Sequence, residues 1–359
     1  MAVGARGWRS LLTPTLSRHL GLAVGAFILL LLLSSQIGAF DDYNLAAVAI
    51  FVIATAGLNL LTGVNGQLSL GHGALMAIGA YSTSLLLHGH HLPLILVLLA
   101  SLATASLIGA VFGVAAARLR GPYLAGATLA LAVGLPQIAT RYSHVFGGEE
   151  GLTVAPPAVP AWLGADFPPE RWIAWIAIAA ALVTLVLLGN LLQSSVGRSF
   201  KAVRDHEAAA ALAGINVART QVVAFVVSAA CAGVAGSLFA YWAGLTAPAG
   251  FGVALSLQLV SAIVIGGLGN LSGAVWGSIV LVYVPTLTSG MASSLNLPSA
   301  VGNNLPLLIY GAILVIAMLV VPYGIDGALR RLIALARARW AGAASNHKGV
   351  VDWDDPAGG

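Results

Sequence analysis

The chain has 359 residues and a formal net charge of +4, with 59% hydrophobic and only 8% charged residues. A soluble domain usually carries about 25% charged residues, so an ordinary soluble fold of this length is excluded. Apolar runs long enough to cross a bilayer recur along the sequence. Runs such as GLAVGAFILLLLL (21–33) do not alternate as the strands of a membrane barrel must. The expected fold class is all-α: a polytopic transmembrane helical bundle.

Arg6, Arg9 and Arg18 precede a long apolar run from Leu20 to Ile37. The core of a secretory signal is about 7–15 residues long, so this run reads as an uncleaved first span. Ten spans follow from hydropathy, at roughly 20–38, 44–62, 68–87, 93–117, 122–140, 172–192, 221–243, 253–269, 271–290 and 305–322. With the N-terminus inside, the cytoplasmic segments are 1–19, 63–67, 118–121, 193–220, the turn at 270, and 323–359. Of the 16 Lys and Arg residues, only Arg141 and Arg171 then fall on the outer side, where Asp41, Asp42, Glu149, Glu150, Asp166 and Glu170 collect. Cytoplasmic enrichment in Lys and Arg sets orientation, and ten spans put both termini in the cytoplasm. The sequence thus divides into a cytoplasmic N-terminal segment (1–19), a permeation domain (20–322) and a basic cytoplasmic tail (323–359) whose end is expected to be disordered. The outer loop 141–171 is rich in Pro and Gly, which forbids a long helix there. The inner loop 193–220 contains an alanine run that predicts a short helix from Asp205 to Ala213, closed by Gly214.

One polar, glycine-punctuated segment, GVNGQLSLGHG (63–73), separates two apolar spans. It is not a nucleotide loop. The phosphate-binding P-loop needs a lysine after its last glycine, and the two lysines, Lys201 and Lys348, both lie elsewhere. Its first seven residues share the pattern G-x-x-G-[QN]-L-S with 266–272, and both copies fall at an inner turn between adjacent spans. Non-helical backbone at membrane depth is tolerated only inside protein or along a cavity. Asn59, Asn65, Gln67, Ser69 and His72 are therefore candidate pathway or subunit-interface residues, with Gly266, Gly269 and Asn270 their counterparts in the second turn. Helix packing is the competing role for each.

Other chemistry is missing from the sequence. The spans hold no Asp, Glu, Lys or Arg away from their ends, whereas an ion-coupled carrier usually places such residues there. The cluster His88, His90 and His91 lacks the further ligands of a zinc site, and no G-x-S-x-G nucleophile motif is present. The inner loop, basic at its start and then Asp205, His206 and Glu207 before the alanine run, suits docking into a groove of a cytosolic partner, or serves only as a basic inner loop.

The residues LNLLTGVNGQLSLGHGALMAIGAY (58–81), RLRGPYLAGATLA (118–130), FGGEEGLTV (146–154), GRSFKAVRDHEAAAALAGINVARTQVVAFVVSAACAGVAGSLFA (197–240), GGLGNLSGAVWGSIV (266–280) and LIYGAILVIAMLVVPYGI (308–325) resemble, in order, the inner-membrane permease subunits of ABC importers for branched-chain amino acids, LivM type. The resemblance implies a multi-pass protein of the bacterial inner membrane that pairs with a homologous LivH-type permease subunit. It also implies two cytosolic ABC ATPase subunits, which bind ATP and Mg, and an external substrate-binding protein. No cofactor is expected on the chain itself and no nucleic acid among its partners. The resemblance further implies that Arg204, Asp205, His206, Glu207, Ala208, Ala209 and Gly214 form the helix that couples to an ATPase. Gly214 stands one residue later than the E-A-A-x-x-x-G spacing of importers, and VPYGI lacks a basic residue common in this family's last block. Urea or short amides are the alternative cargo, and a stand-alone ion-coupled carrier the alternative class.

Overall fold

The computed structural model describes residues 14–90, 92–119, 121–164, 166–294, 305–320 and 324–334. His91, the first residues of the N-terminal segment and the end of the tail lie outside them. In chain order the helices are α1 (Pro14–Ser34), α2 (Ala39–Asn59), α3 (His72–Leu87), α4 (Leu94–Ala116), α5 (Pro122–Arg141), α6 (Ser143–Phe146), α7 (Pro169–Gln193), α8 (Ser195–Asp205), α9 (Glu207–Leu212), α10 (Val217–Ala243), α11 (Val253–Gly266), α12 (Leu271–Ser294) and α13 (Leu305–Val320). A further helical segment runs over 324–334. Seven of the described helices are long and apolar enough to cross a membrane, and the apolar stretches Leu20–Ser34 and His72–Leu87 are shorter.

The bundle is organised around α2 and α10. Beyond its first turn, helix α2 is largely apolar and buried around its circumference: Ala46, Ile50, Ile53, Ala54 and Leu58 are all solvent-free. It packs against α7, α10, α11 and α12, while α10 fills the space between α2, α3 and α4. Lipid offers little hydrophobic drive for one helix to leave it for another, so association relies on close backbone approach. Small residues supply it. A Cβ on Gly236 of α10 would strike the Met76 carbonyl of α3, and one on Gly79 would strike Gly233. The single cysteine, Cys231, is buried in α10 against Gly57. Helix α4 turns Ile95, Leu99, Leu107 and Val111 outward, the pattern of a lipid-facing element.

Two features depart from a purely helical reading. A two-residue antiparallel ladder joins Leu152–Thr153 to Leu245–Thr246, tying the loop after α6 to the end of α10. The inner-loop helix expected at Asp205–Ala213 is two helices: Asp205 closes α8, and α9 begins at Glu207. His206 takes an extended backbone between them, and its ring nitrogen Nδ1 accepts the Ala209 N–H at 3.2 Å, capping α9. Asp205 therefore does not face the positive end of a helix dipole. Its carboxylate receives Arg204 at 2.8 Å instead.

Among the described residues, several segments assigned to one side of the membrane share one end of the bundle. The turn at 63–67 meets α8 there and the turn at 267–270 is bound beside it through Asn59, and the 324–334 segment joins them through Ser272, whose hydroxyl donates to Asp326 at 2.6 Å. At the opposite end lies a buried ion pair. The Asp42 carboxylate, in the first turn of α2, takes Arg171 Nε at 2.9 Å and the Ser34 hydroxyl. Arg171 also donates to the Ile37 carbonyl at 3.1 Å. That pairing accounts for Arg171, one of two basic residues away from the basic end: it neutralises Asp42 and fastens the α1–α2 connection to α7.

Candidate functional site

Helix α2 does not stop cleanly. Residues Leu60–Val64 form a π-helical turn, with Asn65 N–H donating to the Leu60 carbonyl at 3.0 Å and Gln67 N–H to Leu61 at 3.1 Å. Such turns widen a helix locally and recur at functional sites. The Thr62 hydroxyl closes the turn by donating to the Gln67 carbonyl at 3.0 Å. Gly66, at φ +80°, reverses the chain in a left-handed conformation that other residues rarely adopt, and its Cα side is covered by the Arg204 side chain. Irregular backbone continues to Gly71, supported by the Thr128 hydroxyl on the Leu70 N–H (2.9 Å) and the Ser256 hydroxyl on the Gly73 N–H (3.0 Å). Helix α3 then begins at His72.

The second glycine turn packs directly on the first. Asn59 Nδ2 donates to the Asn270 carbonyl at 2.7 Å and more weakly to the Gly267 carbonyl at 3.4 Å, and its Oδ1 accepts the Gly269 N–H at 2.8 Å. A side chain on Gly63 would collide with Asn59 and Gly269. Gly269 has φ +82°, nearly that of Gly66, the residue at the same place in the shared motif. The two turns thus share a left-handed glycine at the fourth motif position but differ at the second, where Val64 is helical and Gly267 has φ +124°, and Asn59 staples them together. Gly266 sits behind them, where a Cβ would strike the Gly273 carbonyl of α12.

Arg204 brings the predicted coupling segment to this staple. Its NH1 donates to the Gly63 carbonyl at 2.9 Å, while Nε and NH2 hold Asp205. Helix α8 is seated by Gly197, Phe200 and Val203, buried at helical spacing along one face. Glu207, at the start of α9, accepts from Gln221 of α10 at 2.9 Å. Between the first glycine turn and the α8–α9 break lies a cavity of about 630 Å³ lined by Asn65, Gln67, Arg204, Asp205, Glu207 and Gln221. The Asn65 and Gln67 amides are buried there with no hydrogen bond among the described residues. Ser69 and His72 are buried beyond it, under α3. The Ala54 carbonyl lies near the His72 ring, yet neither ring nitrogen reaches hydrogen-bonding geometry. Ala208 also lines the cavity, whereas Ala209 points away, exposed, and Gly214 (φ +84°) ends α9 with Ile215 N–H on the Ala210 carbonyl at 3.0 Å.

Sequence reasoning did not single out Thr62, Thr128 or Ser256, whose hydroxyls hold the irregular segment, nor Leu212. Isolated hydroxyl residues within apolar spans were the available signal for the first three. Leu212 is the one large apolar side chain of α9 and is 92% exposed, so the helix presents a hydrophobic knob to whatever lies beyond it.

Residues 42–318 match a protein family described as the branched-chain amino acid transport system permease component. The chain belongs to this family. The permease is 30% identical over 299 residues to the high-affinity branched-chain amino acid transport system permease protein LivM of Escherichia coli K12, covering 77% of this chain and 67% of that protein. It is 24% identical over 293 residues to the LivH permease protein of the corresponding Salmonella typhimurium system, covering 77% and 91%. Among solved structures, PsaBC from Streptococcus pneumoniae in complex with Fab aligns with a TM-score of 0.42 and 14% identity over 86% of this chain and 99% of that one, a likeness too low to carry an argument. The permease is a multi-pass membrane transport subunit, not an enzyme.

Proposed function

We propose that this permease forms, with a homologous LivH-type subunit, the membrane pathway of an ABC importer for branched-chain or similarly hydrophobic amino acids. An external binding protein delivers the cargo and two cytosolic ATPases supply the energy. The chain makes ten crossings of a bacterial inner membrane, with the end that carries α8 and α9 facing the cytoplasm together with both termini. The concentration of basic segments at that end supports this orientation, and the similarity to both LivM and LivH proteins supports the cargo and the paired subunit.

One observation carries the mechanism: Arg204, in the segment that docks an ATPase, donates to the carbonyl of Gly63 in the polar turn between two spans. The exposed α9, with Leu212 outward and Ala208 and Ala209 small enough for close approach, enters a groove of the ATPase. ATP binding draws the two ATPases together and moves α8–α9 as a lever. Arg204 transmits the movement to the stapled glycine turns, which shift the populations of outward- and inward-open states. Asn65, Gln67, Ser69 and His72 then line or border the path, while Asn59, Gly266, Gly269 and Asn270 hold its inner wall.

The test is Arg204→Ala in the reconstituted complex. A hydrogen bond to a charged group contributes about 1.5–3 kcal/mol. Arg204 is 40% exposed, and solvent screening reduces this to about 1 kcal/mol, roughly a fivefold loss. Uptake per ATP hydrolysed should fall by that factor with assembly intact. Unchanged coupling in Arg204→Ala, and in a variant with Asp205, His206 and Glu207 all replaced by Ala, would refute the docking assignment.

A further inference from the structure

A second cavity opens at the same end of the bundle, on the other side of the 267–270 turn. It measures about 530 Å³ and lies between α1, α7, α8 and the start of α12. Its mouth is basic: Lys201 of α8 and Arg330 of the 324–334 segment approach from different elements, joined by the polar residues Asn270, Ser272 and Gln193. Its walls are apolar, with Leu22 and Ala26 of α1 facing Leu185 and Leu192 of α7.

Beside this cavity is a groove of about 360 Å³ between α1 and α7 that has no polar lining. Ala23, Leu182 and Val186 line both, so the two spaces share a wall of α1 and α7. From Leu20 to Phe27 the groove follows α1 for about 10 Å along the bundle. The combination is a cavity with Lys201 and Arg330 among its lining residues and apolar walls on α1 and α7, beside a wholly apolar groove between the same two helices. A soluble anion would use the basic residues but not the apolar walls; a neutral lipid would use the apolar walls but not the basic residues.

We propose that this is a binding site for an anionic phospholipid, with its phosphate at Lys201 and Arg330 and an acyl chain between α1 and α7. Arg330 is set in place by Asp326 at 2.9 Å and by the Ser272 hydroxyl at 3.2 Å. Lys201 has no hydrogen bond or ion pair among the described residues, so its ammonium is available to the headgroup. Lys201 stands one helical turn before Arg204 on α8, and Gly269 borders this cavity while its N–H bonds Asn59. The bound lipid therefore steadies α8 and the second glycine turn from the side opposite the Asn59 staple. The site needs only the fold, and stands whichever cargo or motor the permease uses.

The full permease complex, purified in detergent, is titrated with phosphatidylglycerol and with phosphatidylcholine and read by native mass spectrometry. A Lys or Arg at a charged membrane surface is worth a factor of about five in binding. The proposal predicts that phosphatidylglycerol binds more tightly than phosphatidylcholine, that Lys201→Gln weakens it about fivefold, and that Lys201→Arg restores it. Because Lys201 is exposed, neither substitution threatens folding. Equal retention of the two lipids, or no change in Lys201→Gln, would overturn it. So would displacement of the lipid by inorganic phosphate alone, which would leave an anion site without a lipid.

Discussion

Replacing Asn59 by Leu keeps the branching and heavy-atom count of the side chain and removes the staple between the two glycine turns. The substitution strands one N–H, on Gly269, and one well-aligned acceptor, on Asn270; the Gly267 contact at 3.4 Å is too long to count fully. A buried polar group left unsatisfied costs about 1–3 kcal/mol, whereas hydrogen bonds between membrane helices average nearer 0.6 kcal/mol. Gly269 and Asn270 are half-buried, at an end of the bundle where water can reach them. The loss for the two groups together therefore lies between these figures, at about 1–3 kcal/mol. At this chain length that is a fall of roughly 1.3–4 °C in thermal midpoint, readable by the fluorescence of the tryptophans in detergent. Asn59→Asp should be worse than Asn59→Leu, because it keeps the acceptor for Gly269 but points a carboxylate at two carbonyls. A midpoint within about 1 °C of the parent in both variants would refute the claim that Asn59 joins the turns.

Asp42→Ala should destabilise by about 2–4 kcal/mol, since it leaves the largely covered Arg171 guanidinium without its carboxylate; in a thermal double-mutant cycle, Asp42→Ala with Arg171→Leu should lose less than the sum of the two. Gly236→Ala should cost about 1–3 kcal/mol by forcing α10 off the Met76 carbonyl of α3, measurable as a lower thermal midpoint, whereas Gly126→Ala, where a Cβ meets nothing, should leave it unchanged. Leu212→Asp should release the ATPase subunits from the purified complex without lowering the thermal midpoint of the permease itself, because the side chain is 92% exposed; retained ATPases on size-exclusion chromatography would contradict its docking role.

The broad architecture was legible because membrane helices announce themselves by long apolar runs and by the placement of Lys and Arg. Helices occur at each of the ten positions read from hydropathy. Arg171 stood out as a charge on the wrong side, and its reason, Asp42, lies 129 residues away, which no local pattern reveals. The polar turn at 63–73 was equally visible as an interruption. Its partners were not: Asn59 reaches residues more than 200 positions along the chain, and Arg204 reaches Gly63 across 141. The break at His206 was missed because alanine-rich sequence favours one continuous helix. Here tertiary packing overrides propensity, with α8 held down by Phe200 and Val203 and α9 tied to α10 through Glu207 and Gln221. The two-residue ladder after α6 left no signal, being too short to show alternation.

The most direct test of the account is solute uptake in vesicles. The permease is reconstituted alone, then with its paired subunit, ATPases and binding protein, with internal hydrophobic amino acid followed over time. The account predicts accumulation against a gradient only in the complete assembly and only with ATP. Accumulation by the permease alone under an ion gradient would contradict it.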